Sequence, residues 1–421
     1  MSMSNGEPIR VLHIITRLIV GGAQENTLLS VEGLDQLPDY EVTLVTGIDN
    51  GPEGDLLERA RRTTKLIIVP ELGRSISPLA DIKAFWKLYR LIRNGRYDIV
   101  HTHSSKAGVL GRLAAKLAGT PIVVHTLHSL VFHEYQPWLV NRLWRAVKKI
   151  CAPLTDHFIS VSEVIRQKAI AAGIAGPEKF STIYSGMELD WFLQAKVNRL
   201  DVRREFGIPD DAPVVGKIAR LFSLKGHDQL LDAAPKVVER HREVRFFLIG
   251  DGVLYEHLRN RARESGILDN FVFAGLVPRE RIPEMISAMD VLVHTSLREG
   301  LARVLPQALA MGKPCVSFDI DGAPEVVIPG ETGYLVRPGD AEGLADAISR
   351  LLDDPELREQ MGRAGRRRVD PDFRAETMVR EIASVYRSLA ARYSERLARF
   401  NGRRPVAVGR VIEDGDTNAL A

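Results

Sequence analysis

Cysteine is nearly absent, with only Cys151 and Cys315 in 421 residues. Neither stands in a CxxC pair, and two thiols cannot build a disulfide framework, so a reducing compartment is expected. An excess of one charge is also lacking. Lys and Arg total 57 against 54 Asp and Glu, a formal net charge of +3. A dedicated nucleic-acid binder carries a strong basic stripe, so no nucleic-acid partner is expected. No apolar run approaches the ~18 residues of a membrane span. Residues 1–8 lack the basic-then-apolar order of a signal peptide. The expected location is cytoplasmic, with peripheral attachment at the inner face of the plasma membrane left open.

What is present is an ordinary globular balance, 45% hydrophobic and 26% charged. The length allows two or three domains, each able to bury a core. Short β-branched runs alternate with longer amphipathic stretches. Residues 9–15, 41–46, 66–69, 98–101, 121–125 and 157–161 read as buried strands, and residues 24–33, 79–93, 106–117 and 137–151 as helices. The pattern lapses near 195–213 and then restarts. Strands are expected at 214–218, 244–249, 271–273, 291–294 and 314–318. Helices are expected at 226–239, 254–264, 303–311, 341–352 and 355–368. This alternation implies two α/β halves, each with a parallel sheet covered on both faces. The boundaries expected are a first domain over 1–194, a linker over 195–212 and a second domain over 213–371. One long closing helix over 372–400 and a disordered tail over 401–421 would follow. The cleft facing the strand ends is the default ligand site.

Several stretches carry chemistry. In "TRLIVGGAQENTL", Gly21 and Gly22 open a helix whose amides attract anions. A plain strand-to-helix turn accounts for the same letters, and the spacing is not GxGxxG. In "GKIARLFSLKGHDQLL", Arg220 and Lys225 follow the first strand of the second half. A planar fork and a point charge both suit a phosphate. Two solvated charges are the ordinary alternative, weakened here because strand end, basic pair and Gly226 coincide. In "HTSLREGLARVLPQALAMGKP", Glu299 and Gly300 precede a helix. The carboxylate suits sugar hydroxyls, while the amides behind it suit a phosphate. Gln307 lies two turns on and can face the same ligand.

Histidines gather at neighbouring strand ends: His101 and His103, then His125, His128 and His133. A zinc reading lacks the usual Cys, Asp and Glu partners nearby, and no metal is expected. Polar side chains at strand ends more often line a substrate site. His101, His103, Lys106, His133 and Trp138 are therefore candidates to line a substrate site in the first half. "QPWLVNRLWRAVKKI" interleaves tryptophans with basic residues. Such a helix can lie on an anionic membrane or pack its apolar face on the sheet. "DID" at Asp319–Asp321 is set aside as a strand end and turn. Gly250-Asp251-Gly252 reads as a strand-to-helix turn near the cleft.

"GGAQ", "ARLFSLKGHDQLLDA", "LIGDG" and "SLREGLARVLPQALAMGKPCV" together resemble the retaining glycosyltransferases of family 4, which have the GT-B fold. "THSSKAGVLGRLAAKLAG" followed by "PIVVHTLH" is similar to bacterial members that build surface polysaccharides and glycolipids. The likeness runs from about Ile9 to Tyr386. It implies two Rossmann-like domains facing a central cleft, a nucleotide-sugar donor held mostly by the second domain, and a saccharide or lipid-linked acceptor on the first. By position it assigns Arg220 and Lys225 to the donor diphosphate, with Gly21, Gly22 and Gly250 close by. It assigns Glu299 to sugar hydroxyls, the amides of Gly300, Leu301 and Ala302 to sugar and phosphate, and His128 to the donor sugar. No cofactor is implied, and UDP is the family's more frequent base. Two positions depart from the pattern. Gln307 replaces a second glutamate that holds ribose hydroxyls, and Ala302 stands where proline is frequent. A nucleotide-sugar epimerase of similar fold is one alternative. A non-catalytic sugar-nucleotide binder, suggested by Gln307, is another.

Overall fold

The computed structural model describes residues 8–48 and 54–402. Two parallel sheets organise them. The first holds β1 (Ile9–Ile15), β2 (Tyr40–Thr46), β3 (Lys65–Ile68), β4 (Ile99–His103), β5 (Ile122–Leu127), β6 (His157–Ser160) and β7 (Phe180–Thr182). Their order is β3-β2-β1-β4-β5-β6-β7. The second holds β8 (Val214–Ile218), β9 (Arg245–Ile249), β10 (Phe271–Gly275), β11 (Val291–His294), β12 (Cys315–Phe318) and β13 (Gly333–Val336). Their order is β10-β9-β8-β11-β12-β13. In both sheets the winding reverses beside the first strand, between β1 and β4 and between β8 and β11. The carboxyl ends of these strands are where an open α/β sheet leaves a crevice.

The strands are Val- and Ile-rich because helices cover both faces, so alternate residues have no water to face. On one face of the first sheet, Val11, Ile15 and Val124 pack with Leu28 and Val31 of helix Gly22–Asp35 and with Met378, Ile382 and Tyr386. On the other, Leu12, Ile14 and Val100 pack with Leu88 and Ala114 of helices Pro78–Gly95 and Ser105–Ala118. No helix among the described residues is long and apolar enough to cross a membrane.

The structure departs from the sequence expectation in three places. The edge strands β7 (FST) and β13 (GYLV), half-buried and without a β-branched run, and the helices Leu57–Thr63 and Glu163–Ala171 lie outside the expected elements. The expected linker over 195–212 is packed structure. Arg203, on helix Arg199–Glu205, is fully buried and binds the Ala288 carbonyl and Asp290 beneath the second sheet. The single closing helix is two, Ala375–Arg392 and Ser394–Asn401. After the break Arg396 reaches buried Asp156 at 2.9 Å. The first of these helices crosses back onto the first sheet, where Met187 exchanges backbone hydrogen bonds with Phe373 and Ala375. Residues 403–421 of the expected tail lie outside the described residues.

Candidate functional site

The second sheet supplies a charged pair at its switch point. The loop after β8 turns back through Leu224 and Gly226, both at φ 67. A side chain on Gly226 would collide with the Thr295 carbonyl, its Cβ only 1.6 Å away. This close approach seats Lys225 against the loop that follows β11. Lys225 Nζ donates to Glu299 Oε1 at 2.6 Å, and His294 Nε2 lies 3.5 Å from the same oxygen. Burial by itself pushes the Glu299 carboxyl up, but the Lys225 ammonium and His294 outweigh it and hold the group well below the usual carboxylate range. Asp321, of the discounted "DID", has φ 44 and accepts the Glu299 amide at 2.7 Å. The turn reading of Asp321 therefore stands, and that turn also fixes the carboxylate loop. The amides of Gly300, Leu301 and Ala302 have no protein partner among the described residues. Gly250, at φ 133, brings the end of β9 against the carbonyl before Arg220. Arg220 lies over Phe222, 5.4 Å from the ring centre. Gln307 is half-buried on the helix Val304–Ala310.

The first sheet meets this site directly. Gly300 packs so closely on the His128 carbonyl that a Cβ there would lie 1.7 Å from the oxygen. Gly22 faces Arg303, whose Cδ would be 3.1 Å from an added Cβ. Arg303 binds Glu25 at 3.1 Å and the Gly186 carbonyl at 2.8 Å, so it ties the two lobes together. Lys168 with Asp321 at 2.7 Å, and Glu325 on the Glu163 and Val164 amides, make further ties. Sequence offered no signal for Arg303, because an arginine at a helix start is unremarkable. A cavity of about 510 Å³ lined by Asn198, Arg199, Asp210 and Asp290 opens at the opposite, amino ends of the strands. The charged pair is not there.

The proposed acceptor side is not brought together as expected. His101 is fully buried, and both its ring nitrogens are engaged, so it does not line the cleft. His103 is buried behind His128, 3.1 Å away. Lys106 is tied to Asp81 on the neighbouring helix and to the Ser75 carbonyl in the bend before it. His133 is half-buried in a turn whose amide Asn141 holds. The physical reason is layering: the helix Ala375–Arg392 covers the face on which His101 and His103 stand.

The helix Trp138–Cys151 packs Trp144 and Cys151 inward but leaves other apolar side chains in water. Trp138, Leu143 and Ile150 are 66%, 63% and 74% exposed, while Lys148 is buried. Burial pushes the Lys148 ammonium down to about 7, with the Arg112 charge adding to it. Leu79, Ile82 and Trp86, on the helix Pro78–Gly95, are also exposed. Apolar side chains rimmed by Arg142, Arg145 and Lys149 suit an anionic lipid surface. Binding to phosphatidylglycerol vesicles at low salt is expected, and Leu143→Glu should weaken it at least about tenfold. Equal flotation of both proteins would refute this.

Two family models match the chain: "Glycosyltransferase Family 4" over residues 20–191 and "Glycosyl transferases group 1" over residues 198–368. The UDP-Gal:alpha-D-GlcNAc-diphosphoundecaprenol alpha-1,3-galactosyltransferase of Escherichia coli is 29% identical over 389 residues, 91% of this chain and 98% of its own length. EpsD of Bacillus subtilis (strain 168) is 30% identical over 338 residues, 78% of this chain and 87% of its own. Among solved structures, Anabaena HepE in complex with UDP and glucose superposes with a TM-score of 0.76 at 22% identity, covering 90% of this chain and 100% of HepE.

Proposed function

Because the chain belongs to the glycosyltransferases of GT-B fold, we propose that it transfers a hexose-type sugar from a UDP-sugar to a lipid-linked saccharide, with retention of anomeric configuration. The observation that carries this reading is the Lys225–Glu299 pair at 2.6 Å, set at the mouth of the second sheet against the His128–Gly300 contact. The E. coli relative, named for a diphosphoundecaprenol-linked acceptor, and the exposed apolar helix Trp138–Cys151 support a lipid-linked acceptor. Both matched family descriptions name glycosyl transfer, which weighs against an epimerase.

In this mechanism the bond from the anomeric carbon to the diphosphate breaks as the acceptor oxygen bonds to the same face. The acceptor proton passes to the leaving phosphate. Charge develops on the diphosphate, where Arg220, Lys225 and the amides of Gly300, Leu301 and Ala302 stabilise it. Glu299 exchanges its ammonium partner for sugar hydroxyls and, with His128, orients the sugar. These roles ask for no resident metal or cofactor. The test is a panel of radiolabelled nucleotide-hexoses with a polyprenyl-diphosphate saccharide. Label entering the lipid phase, in a product whose anomeric configuration matches the donor, is the expected result. Neither transfer nor hydrolysis of any donor would overturn it.

A further inference from the structure

Behind His128 lies an unbroken line of hydrogen-bonding groups that no proposed catalytic step uses. Thr126 Oγ1 is 2.6 Å from His101 Nε2, and His101 Nδ1 is 2.6 Å from the Tyr386 hydroxyl. That hydroxyl is 3.1 Å from His13 Nε2. His13 Nδ1 is 3.0 Å from His103 Nε2, and His103 Nδ1 is 3.1 Å from His128 Nε2. β1, β4 and β5 carry the first-sheet members, and helix Ala375–Arg392 carries Tyr386. Burial pushes His13 and His128 down to about 3 and lowers His101 and His103 well below the usual imidazole range. Tyr386 is held protonated by burial. Each ring is therefore neutral near pH 7, with one N–H and one bare nitrogen.

A row of such groups has only two orders: all protons point toward His128, or all point away. Thr126 decides between them. It is buried, and His101 Nε2 is its hydroxyl's one partner among the described residues. If His101 donated to Thr126, the hydroxyl hydrogen would be left buried without an acceptor, which is costly. So Thr126 donates to His101, His101 to Tyr386, Tyr386 to His13, His13 to His103, and His103 to His128. We propose that Tyr386 is a positioning residue which, through His13 and His103, holds His128 in the Nδ1–H tautomer. His128 Nδ1 has no protein partner among the described residues, so its proton is left to donate to an oxygen of the bound sugar. Only this consequence rests on the donor-site reading above.

The test is the tautomer itself, read on ligand-free protein by long-range ¹H–¹⁵N NMR of ¹⁵N-histidine-labelled chain at pH 7, with His128→Gln to assign the signal. In wild type His13, His101, His103 and His128 are all expected as Nδ1–H. Tyr386→Phe cuts the line and leaves His13 Nε2 unpaired in either order, so His128 should become a mixture of tautomers. Thr126→Val removes the deciding donor and should do the same, which serves if Tyr386→Phe does not fold. Tyr40→Phe removes a bond to Ala383 of the same helix, outside the line, and should leave His128 unchanged. Turnover of Tyr386→Phe should fall no more than about twofold, the fraction in the competent form. An Nε2–H His128 in wild type would overturn the proposal, as would a single unchanged tautomer in Tyr386→Phe and Thr126→Val. So would a stoichiometric metal ion in the purified protein, since His13, His101 and His103 bring ring nitrogens within 4.8 Å of one another. Neither the tautomer nor the metal content needs a substrate to be read, so failure there is distinct from failure of the transferase assay.

Discussion

Lys225→Ala is expected to lower donor turnover by about 10²–10³-fold, the usual cost of removing one preorganised group that stabilises developing charge. Lys225 serves twice. In the ligand-free protein it neutralises Glu299 at 2.6 Å, and in the proposed reaction it faces the departing diphosphate. Without it the Glu299 carboxylate keeps His294 at 3.5 Å and the more remote charges of Lys217 and Arg298. Stability should fall by roughly 1–3 kcal/mol, because a carboxylate has lost its best partner. The depressed pKa of Glu299 also fixes a sign. In wild type its contribution to stability is full above the unfolded value of about 4.3 and is lost as pH falls toward the folded one. In Lys225→Ala that contribution shrinks. Adding Glu299→Gln removes the stranded charge and should restore much of the stability but none of the turnover. Steady-state kinetics with a UDP-hexose and urea unfolding of the two variants check this. Turnover within threefold of wild type would sink the role given to Lys225.

Gly300→Ala is expected to cost about 10²-fold in kcat, by displacing one lobe against the other rather than by unfolding either. The added Cβ would lie 1.7 Å from the His128 carbonyl oxygen and 2.8 Å from its carbon. These are backbone atoms, which cannot rotate aside, so the lobes must part by more than an ångström. Misplacement on that scale is known to lose about two orders of magnitude in rate. Gly266→Ala is the control. Gly266 sits at φ 69 with open space around it, and the change should cost about 1 kcal/mol of stability while leaving kcat as it was. If Gly300→Ala retained wild-type kcat, the His128–Gly300 contact would have no part in aligning donor and acceptor.

The two sheets were legible because burial on both faces leaves strands such as β1 and β8 with almost continuous apolar runs. β7 and β13, half-buried edge strands reading FST and GYLV, hold no such run. Lys225, Glu299 and His128 were legible as suitable residue types at strand ends. Arg303 was not, since its partners Glu25 and Gly186 lie more than a hundred residues away.

His101 marks the boundary most clearly. Local pattern ends the fourth strand at His101 and so points it to the cleft, whereas β4 runs on to His103 and leaves His101 in mid-strand. What covers it is Tyr386, 285 residues later, on a helix that returns to the first sheet. The sequence by itself determined the sheets, the two halves and the chemical types near the cleft, because these depend on local periodicity and turn chemistry. Only the tertiary structure decided which of the charged and imidazole groups face water and which face one another. That choice is made by the layer laid over each strand end, and no local spacing records which distant segment supplies it.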